Sequence, residues 1–225
     1  MGGPVTGIFA LAIVSGLAVL LRLRQYAFAW GATADDLSHP WPGDEFSPDS
    51  RTVATRAIAI GAPADITWSY IAQIGQDRAG FYSYTWLENL FRCVMPNVSK
   101  AVPEWQQRTT GDIVWLARAD RYNGDARLKI ARVDRNRDLV LTSPEDWGRI
   151  VRHEHARDGA WSFVVVPTSR AGSRLIVRSR GPERPNLFSA FVRAVVFDPA
   201  HFIMERRMMR QIKSLAEADA RHNGG

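Results

Sequence analysis

Residues 159–180, GAWSFVVVPTSRAGSRLIVRSR, hold two apolar runs on either side of a turn. In the first run Trp161, Phe163 and Val165 alternate and so share one face of a strand, Gly159–Val166. Arg170-Ala171-Gly172 supplies the turn, and Ser173–Arg180 reads as the returning strand. The residues before it supply more strands: Asp112–Ala117, Arg127–Val133 and Leu139–Thr142, with Asn123-Gly124-Asp125 marking a turn between them. Arg149–Asp158 reads as one further strand or as a loop. Upstream, Arg51–Ile60 alternates weakly and ends at Gly61-Ala62-Pro63. Pro63 and Asp65 then open a helix on which Ile66, Tyr70, Ile71 and Ile74 recur at three-to-four spacing, up to Gly75. A second helical piece is expected over Tyr84–Cys93, and two more, Asn186–Phe197 and His201–Ala220, on either side of Asp198-Pro199.

Strand, two helices, five or six antiparallel strands and a long last helix imply an α+β fold with the helices on one face of the sheet. A sheet wrapped around one long helix leaves a space between them, and a ligand would sit there.

The chain has 225 residues and 25.2 kDa, enough for one ordinary domain with some length left over. With 46% hydrophobic and 23% charged residues, wholesale disorder is excluded. Cys93 is the only cysteine, so a disulfide-stapled scaffold and a multi-thiolate metal site are excluded too. The net charge of +6 comes almost wholly from arginine, the lysines being Lys100, Lys129 and Lys213. The basic run Arg118–Arg137 is interleaved with Asp120, Asp125 and Asp134 and followed by Asp138, as in a solvated hairpin, so no nucleic-acid partner is expected. His153-Glu154-His155 lacks a third ligand and reads as surface. No Ser-His-Asp order and no phosphate-cradling glycine loop is recognisable; no metal and no cofactor is implied.

At the N-terminus, Val5–Leu21 is uncharged for 17 residues, followed by Arg22, Arg24, Tyr26 and Trp30. That is short for a membrane span, but it extends in both directions, and the aromatic and basic flank suits an interface. Residues 1–30 are therefore expected to be an uncleaved single-pass anchor in the inner (cytoplasmic) membrane, with the domain facing the cytoplasm. Residues 31–50, with three prolines, two glycines and five acids, are expected to be an extended linker, and residues 51–220 the folded domain.

The element order resembles the helix-grip fold of the START-like (SRPBCC) superfamily. The segment Ile58-Ala59-Ile60-Gly61-Ala62-Pro63-Ala64-Asp65-Ile66-Thr67-Trp68 is similar to its opening: an apolar strand, an Ala-Pro turn and a helix bearing a tryptophan. Trp30-Gly31-Ala32-Thr33, Gln73-Ile74-Gly75-Gln76, residues 80–89 (GFYSYTWLEN) and Met204-Glu205-Arg206-Arg207-Met208 are similar to a bacterial, membrane-anchored branch of that superfamily. The resemblance covers about residues 30–218. It implies a helix-grip domain with an internal cavity; because the superfamily holds lipid carriers, aromatase/cyclases, oxygenase domains and quinone-binding proteins, it does not choose a chemistry.

On the last helix Phe202, Met208, Met209, Ile212, Leu215 and Ala216 form one apolar stripe, and Glu205 falls in its middle. A carboxylate there must be paired or protonated. It is either a cavity acid touching a ligand or half of a buried ion pair, with Arg56 or Arg178 as its partner. The aromatic cluster Phe81, Tyr82, Tyr84 and Trp86, together with Trp105, Trp161 and Phe163, suits a large apolar pocket with a few polar tips. The expected ligand-binding residues are Tyr82, Tyr84, Trp86, Trp105, Trp161, Phe163, Phe202, Glu205 and Met209, with no catalytic residue assigned. Phe188, Phe191, Val192, Val195, Val196 and Phe197 surround the preceding helix, which is then a lid, a membrane-touching gate, or a helix buried under a loop. The expected function is binding of a hydrophobic small molecule, such as a lipid, isoprenoid or quinone, with the membrane as a further partner. The alternatives are a cyclase, hydratase or hydrolase using Glu205 with Tyr82 or Tyr84, and a non-catalytic interaction module.

Overall fold

The computed structural model describes residues 3–83, 96, 98–169, 171–182 and 186–223. Helix α1 (Gly3–Phe28) leads to a short helix α2 (Ala34–Ser38), strand β1 (Val53–Ile60) and helix α3 (Ala64–Ala72). The expected helix at Tyr84–Cys93 lies outside the described residues. Strands β2 (Ile113–Trp115), β3 (Arg127–Asp134) and β4 (Asp138–Thr142) are followed by helix α4 (Pro144–Val151) and strands β5 (Ala160–Ser169) and β6 (Gly172–Arg180). Helix α5 (Leu187–Val192) continues through a π-helical turn at Arg193–Phe197 into the long helix α6 (Asp198–Asn223).

The six strands form one antiparallel sheet in the order β1-β6-β5-β4-β3-β2. In the β5–β6 hairpin Phe163 stands opposite Val177 and Val165 opposite Leu175, so the alternation read from residues 161–165 faces one core. Helix α6 lays Met208, Met209, Ile212 and Ala216 on that concave face, where Trp68 and Ile71 of α3 join it. Arg108 closes the end of α3, its guanidinium donating to the carbonyls of Ala72 at 2.7 Å and Ile74 at 2.5 Å. Burial, with Arg78 beside it, pulls the Arg108 pKa down to about 10.

The other face of the sheet is covered as well. Ala57, Val164 and Ile176 lie under Ala32 and Trp41, and Ala131, Val140 and Ala160 under Phe46, Trp147 and Ile150. Burial on both sides explains the unbroken run Leu139-Val140-Leu141 of β4.

Residues 31–50 are therefore not an extended linker. Their acids meet arginines on the outer face of β6: Asp36 accepts from Arg174 at 2.6 Å, and Asp44 from Arg178 at 2.8 Å and Arg180 at 3.0 Å. Thr33 and Asp36 form a capping box on α2, and the Trp41 indole donates to the Asp36 carbonyl. Although burial opposes it, Arg174 and Thr33 hold the Asp36 carboxyl below its ordinary pKa. Gly31, at φ +70°, starts this return; a Cβ there would fall on the carbonyl oxygen of Ala57.

The membrane-spanning anchor, and with it the single-pass inner-membrane location with a domain facing the cytoplasm, is overturned. Among the described residues no helix is long and apolar enough to cross a membrane. The end of α1 belongs to the domain instead: Arg24 reaches Asp198 at 3.6 Å, Tyr26 meets Phe202 edge-on, and the Ala27 carbonyl accepts from Arg56. Trp30 packs against the main core beneath Arg206 and Arg210.

Two local readings also change. Arg149–Asp158 is the end of α4 and a turn, because Ser143 caps a helix with Pro144 in its first turn. Asp198-Pro199 does not separate two helices: the proline, which has no N–H to donate to the preceding turn, falls just after the π-helical turn Arg193–Phe197, where the Asp198 N–H reaches back to the Arg193 carbonyl.

Candidate functional site: a buried ion pair in an aromatic wall

Strand parity decides which arginine meets Glu205. Arg56 pairs in register with Val177, which faces the main core, so Arg56 points to the concave side with Ile58 and Ile60. Arg178, opposite Thr55, points outward to Asp44. From α6, Glu205 falls one turn before Met208 and Met209 and meets Arg56 at 2.6 Å, each side chain 1% exposed. The ion-pair reading of Glu205 is thus the observed one, with Arg56 as partner.

Both carboxylate oxygens are engaged. Oε1 accepts from Arg56 Nη1, and Oε2 accepts from Trp161 Nε1 at 3.0 Å, with His201 Nε2 at 3.5 Å. Arg56 is held in turn by its Nε–H to the Ala27 carbonyl at 2.7 Å and by the ring of Phe202 beneath its guanidinium. Each buried charge thus has its opposite as partner and at least one further hydrogen bond, which offsets part of the cost of burying it.

Rings enclose this centre. Trp161 stacks on Phe81 at 5.9 Å and lies 4.7 Å from Phe163 and 5.6 Å from His201. His201 is itself stacked on Phe197 at 5.5 Å. Trp161, His201 and Phe202 are only partly covered, whereas Phe163 and Met209 are sealed. The site is therefore a fixed charged centre with one imidazole, mostly buried and 26% exposed, at its edge.

Burial pushes the His201 imidazole below its ordinary value of 6.5, with Arg56 and Arg193 adding to the shift and Glu205 and Asp198 opposing it. A folded-state pKa below the unfolded one means that the unfolded chain takes up a proton first as pH falls. Stability is fully present above about pH 6.5 and is expected to decline as pH drops toward the lowered value; His201→Gln should flatten that part of the curve. Thermal unfolding of both proteins between pH 7.5 and 5 checks this, and parallel curves would show that His201 carries no such shift.

The structure brings together Trp161, Phe163, Phe202 and Glu205, around one centre. Met209 is core beside it. Trp105, on a 3-10 turn at Pro103–Trp105, packs against the main core, and no ring contact or hydrogen bond among the described residues joins it to Trp161 or Glu205. Tyr82 lies in the core, its hydroxyl accepting from Gln73 Nε2 at 2.7 Å and its ring edge-on to Tyr70. Burial raises the Tyr82 hydroxyl pKa despite that hydrogen bond, and the backbone is held at φ +54°, a conformation strained for a non-glycine residue. Tyr84 and Trp86 lie outside the described residues. His201 was not among the expected site residues; the signal for it was its place one turn before Glu205, on the same face of the helix.

No protein-family model matches the sequence, and no curated protein matches it either. Solved structures give looser likenesses. A Thermobifida fusca protein is 14% identical, over 72% of this chain and 94% of its own, at a TM-score of 0.43. The self-sacrificing resistance protein CalC from Micromonospora echinospora is 13% identical, over 76% and 95%, at 0.39. A Polyketide_cyc-like protein from Corynebacterium glutamicum is 15% identical, over 76% and 91%, at 0.34. Likenesses this loose add nothing to the topology, and on the topology the assignment rests. With a six-stranded antiparallel sheet in the order β1-β6-β5-β4-β3-β2 and a 26-residue C-terminal helix gripped on its concave face, the chain has a helix-grip fold.

Proposed function

We propose that this protein binds an apolar small molecule, of the lipid, isoprenoid or quinone kind, against the aromatic wall between α6 and the concave face of the sheet. One observation carries the reading: Trp161, Phe202 and His201 keep accessible surface beside the buried rings of Phe81 and Phe163, around an ion pair whose carboxylate oxygens both accept hydrogen bonds. Large rings leave a favourable surface for an apolar guest, and a single imidazole at the edge can orient one polar group on it. An acid–base role for Glu205 has less support. Both its oxygens already accept hydrogen bonds, and the Tyr82 hydroxyl is engaged by Gln73.

The test uses the full chain and the neutral apolar fluorophore N-phenyl-1-naphthylamine. Saturable binding at one site per chain is expected, weakened roughly tenfold by Trp161→Leu, which removes the largest ring of the wall. Native mass spectrometry of the purified protein should then find an apolar molecule that the variant has lost. A protein that neither saturates with the probe nor carries any co-purified molecule would overturn the reading.

A further inference from the structure

We infer that the face formed by α5, the π-helical turn and the start of α6 is a docking surface for an anionic lipid bilayer, which it touches without crossing. Phe188 is 78% and Phe191 65% exposed, and Val195, Val196, Phe197 and Ile203 continue the same apolar face around the π-helical turn. Burial under a loop is therefore not what this segment does among the described residues. Side chains of this size, exposed together on consecutive helical turns, mark an interaction surface and not ordinary surface scatter.

Charge selects the occupant. Between residues 186 and 216 the only acids are Asp198 and Glu205. Both are withdrawn into ion pairs, at 11% and 1% side-chain exposure, so neither presents a negative charge outward. Asp198 meanwhile gathers the edge of the face: it holds Arg24 of α1 at 3.6 Å and Arg193 of the π-helical turn at 3.4 Å. Arg207, exposed and one turn beyond Ile203, extends that positive margin. An apolar face with an arginine margin and, among the described residues 186–216, no outward acid is the pattern of a helix lying in a headgroup layer, with rings below the phosphates and guanidinium groups against them. A second copy of this chain is a poorer occupant, because a two-fold contact through this face would set arginine margin against arginine margin. This proposal does not depend on the ligand proposed above, and the vesicle experiment reads no ligand.

The experiment is co-sedimentation of the full chain with vesicles of phosphatidylcholine alone and of phosphatidylcholine with phosphatidylglycerol. Binding is expected to be at least about tenfold tighter to the anionic vesicles and to weaken with added salt. Phe188→Ser with Phe191→Ser should reduce it by roughly tenfold or more, since two rings no longer leave water. Both positions are exposed, so the near-ultraviolet circular dichroism of the tryptophans should not change; if that double variant fails to fold, Val195→Ser with Val196→Ser takes its place. Equal binding to neutral and anionic vesicles, or undiminished binding by the folded variant, overturns the proposal. So does self-association without vesicles that the same substitutions abolish, which would make a second copy the occupant.

Discussion

Glu205→Gln should lower the unfolding free energy by about 3–5 kcal/mol, the usual cost of removing one partner from a buried ion pair. The geometry leaves no escape for the remaining charge. Arg56 is 1% exposed, its Nε is committed to the Ala27 carbonyl, and Phe202 lies beneath it. The replacement amide can keep only half of the network. Its oxygen can accept from Arg56, but its NH2 group then faces the Trp161 indole, and two donors meet where a donor and an acceptor stood. Against a total stability on the order of 5–15 kcal/mol the loss is large. Urea unfolding followed by tryptophan fluorescence measures it. The double variant Arg56→Met with Glu205→Leu, which buries no charge at all, is expected to be more stable than Glu205→Gln. A Glu205→Gln protein as stable as the parent would refute the structural role and make this carboxylate the first candidate for ligand contact.

The same pair marks how far the sequence could be read. That Glu205 had to be paired or protonated followed from its position between apolar neighbours on a helix of known period. The choice between Arg56 and Arg178 did not, because it depends on which parity of β1 and β6 faces inward, and that is fixed only by the register of the two strands. The strands themselves were legible to within a few residues from alternation and turn residues. Residues 31–50 were misread for an instructive reason. Five acids among prolines resemble a solvated tether when no partner is in view, yet Arg174, Arg178 and Arg180 share one parity of β6 and present cations to Asp36 and Asp44. Hydropathy alone likewise does not reveal that Arg24, Tyr26 and Ala27, just after the apolar N-terminal run, are contacts of a folded domain.

Asp146→Ala should cost about 3 kcal/mol, although the residue lies away from the ion-pair centre. Asp146 is fully buried in the first turn of α4, a helix that covers part of the outer face of the sheet through Trp147 and Ile150. Its carboxylate gathers the chain that leads into β5. One oxygen accepts from the Arg157 amide and the Arg149 guanidinium, both at 2.8 Å; the other accepts from the amides of Asp158 at 2.7 Å and Gly159 at 3.2 Å. Alanine withdraws the acceptor from three backbone N–H groups at once, and each buried donor left unpaired costs roughly 1–3 kcal/mol, less where water can enter. Nearby, Gly159 sits at φ +114°, and the space a Cβ would need there is filled by the Arg180 carbonyl, so only glycine fits this turn. Asp146→Asn keeps one oxygen but turns a donor toward those N–H groups, and should rescue little of the loss. The effect should also be local: amide hydrogen exchange at residues 157–159 should speed up before that of the β5–β6 hairpin does. A cost below about 1 kcal/mol, with unchanged exchange at those three amides, would mean that water replaces the carboxylate as acceptor and that the turn is held by its backbone alone.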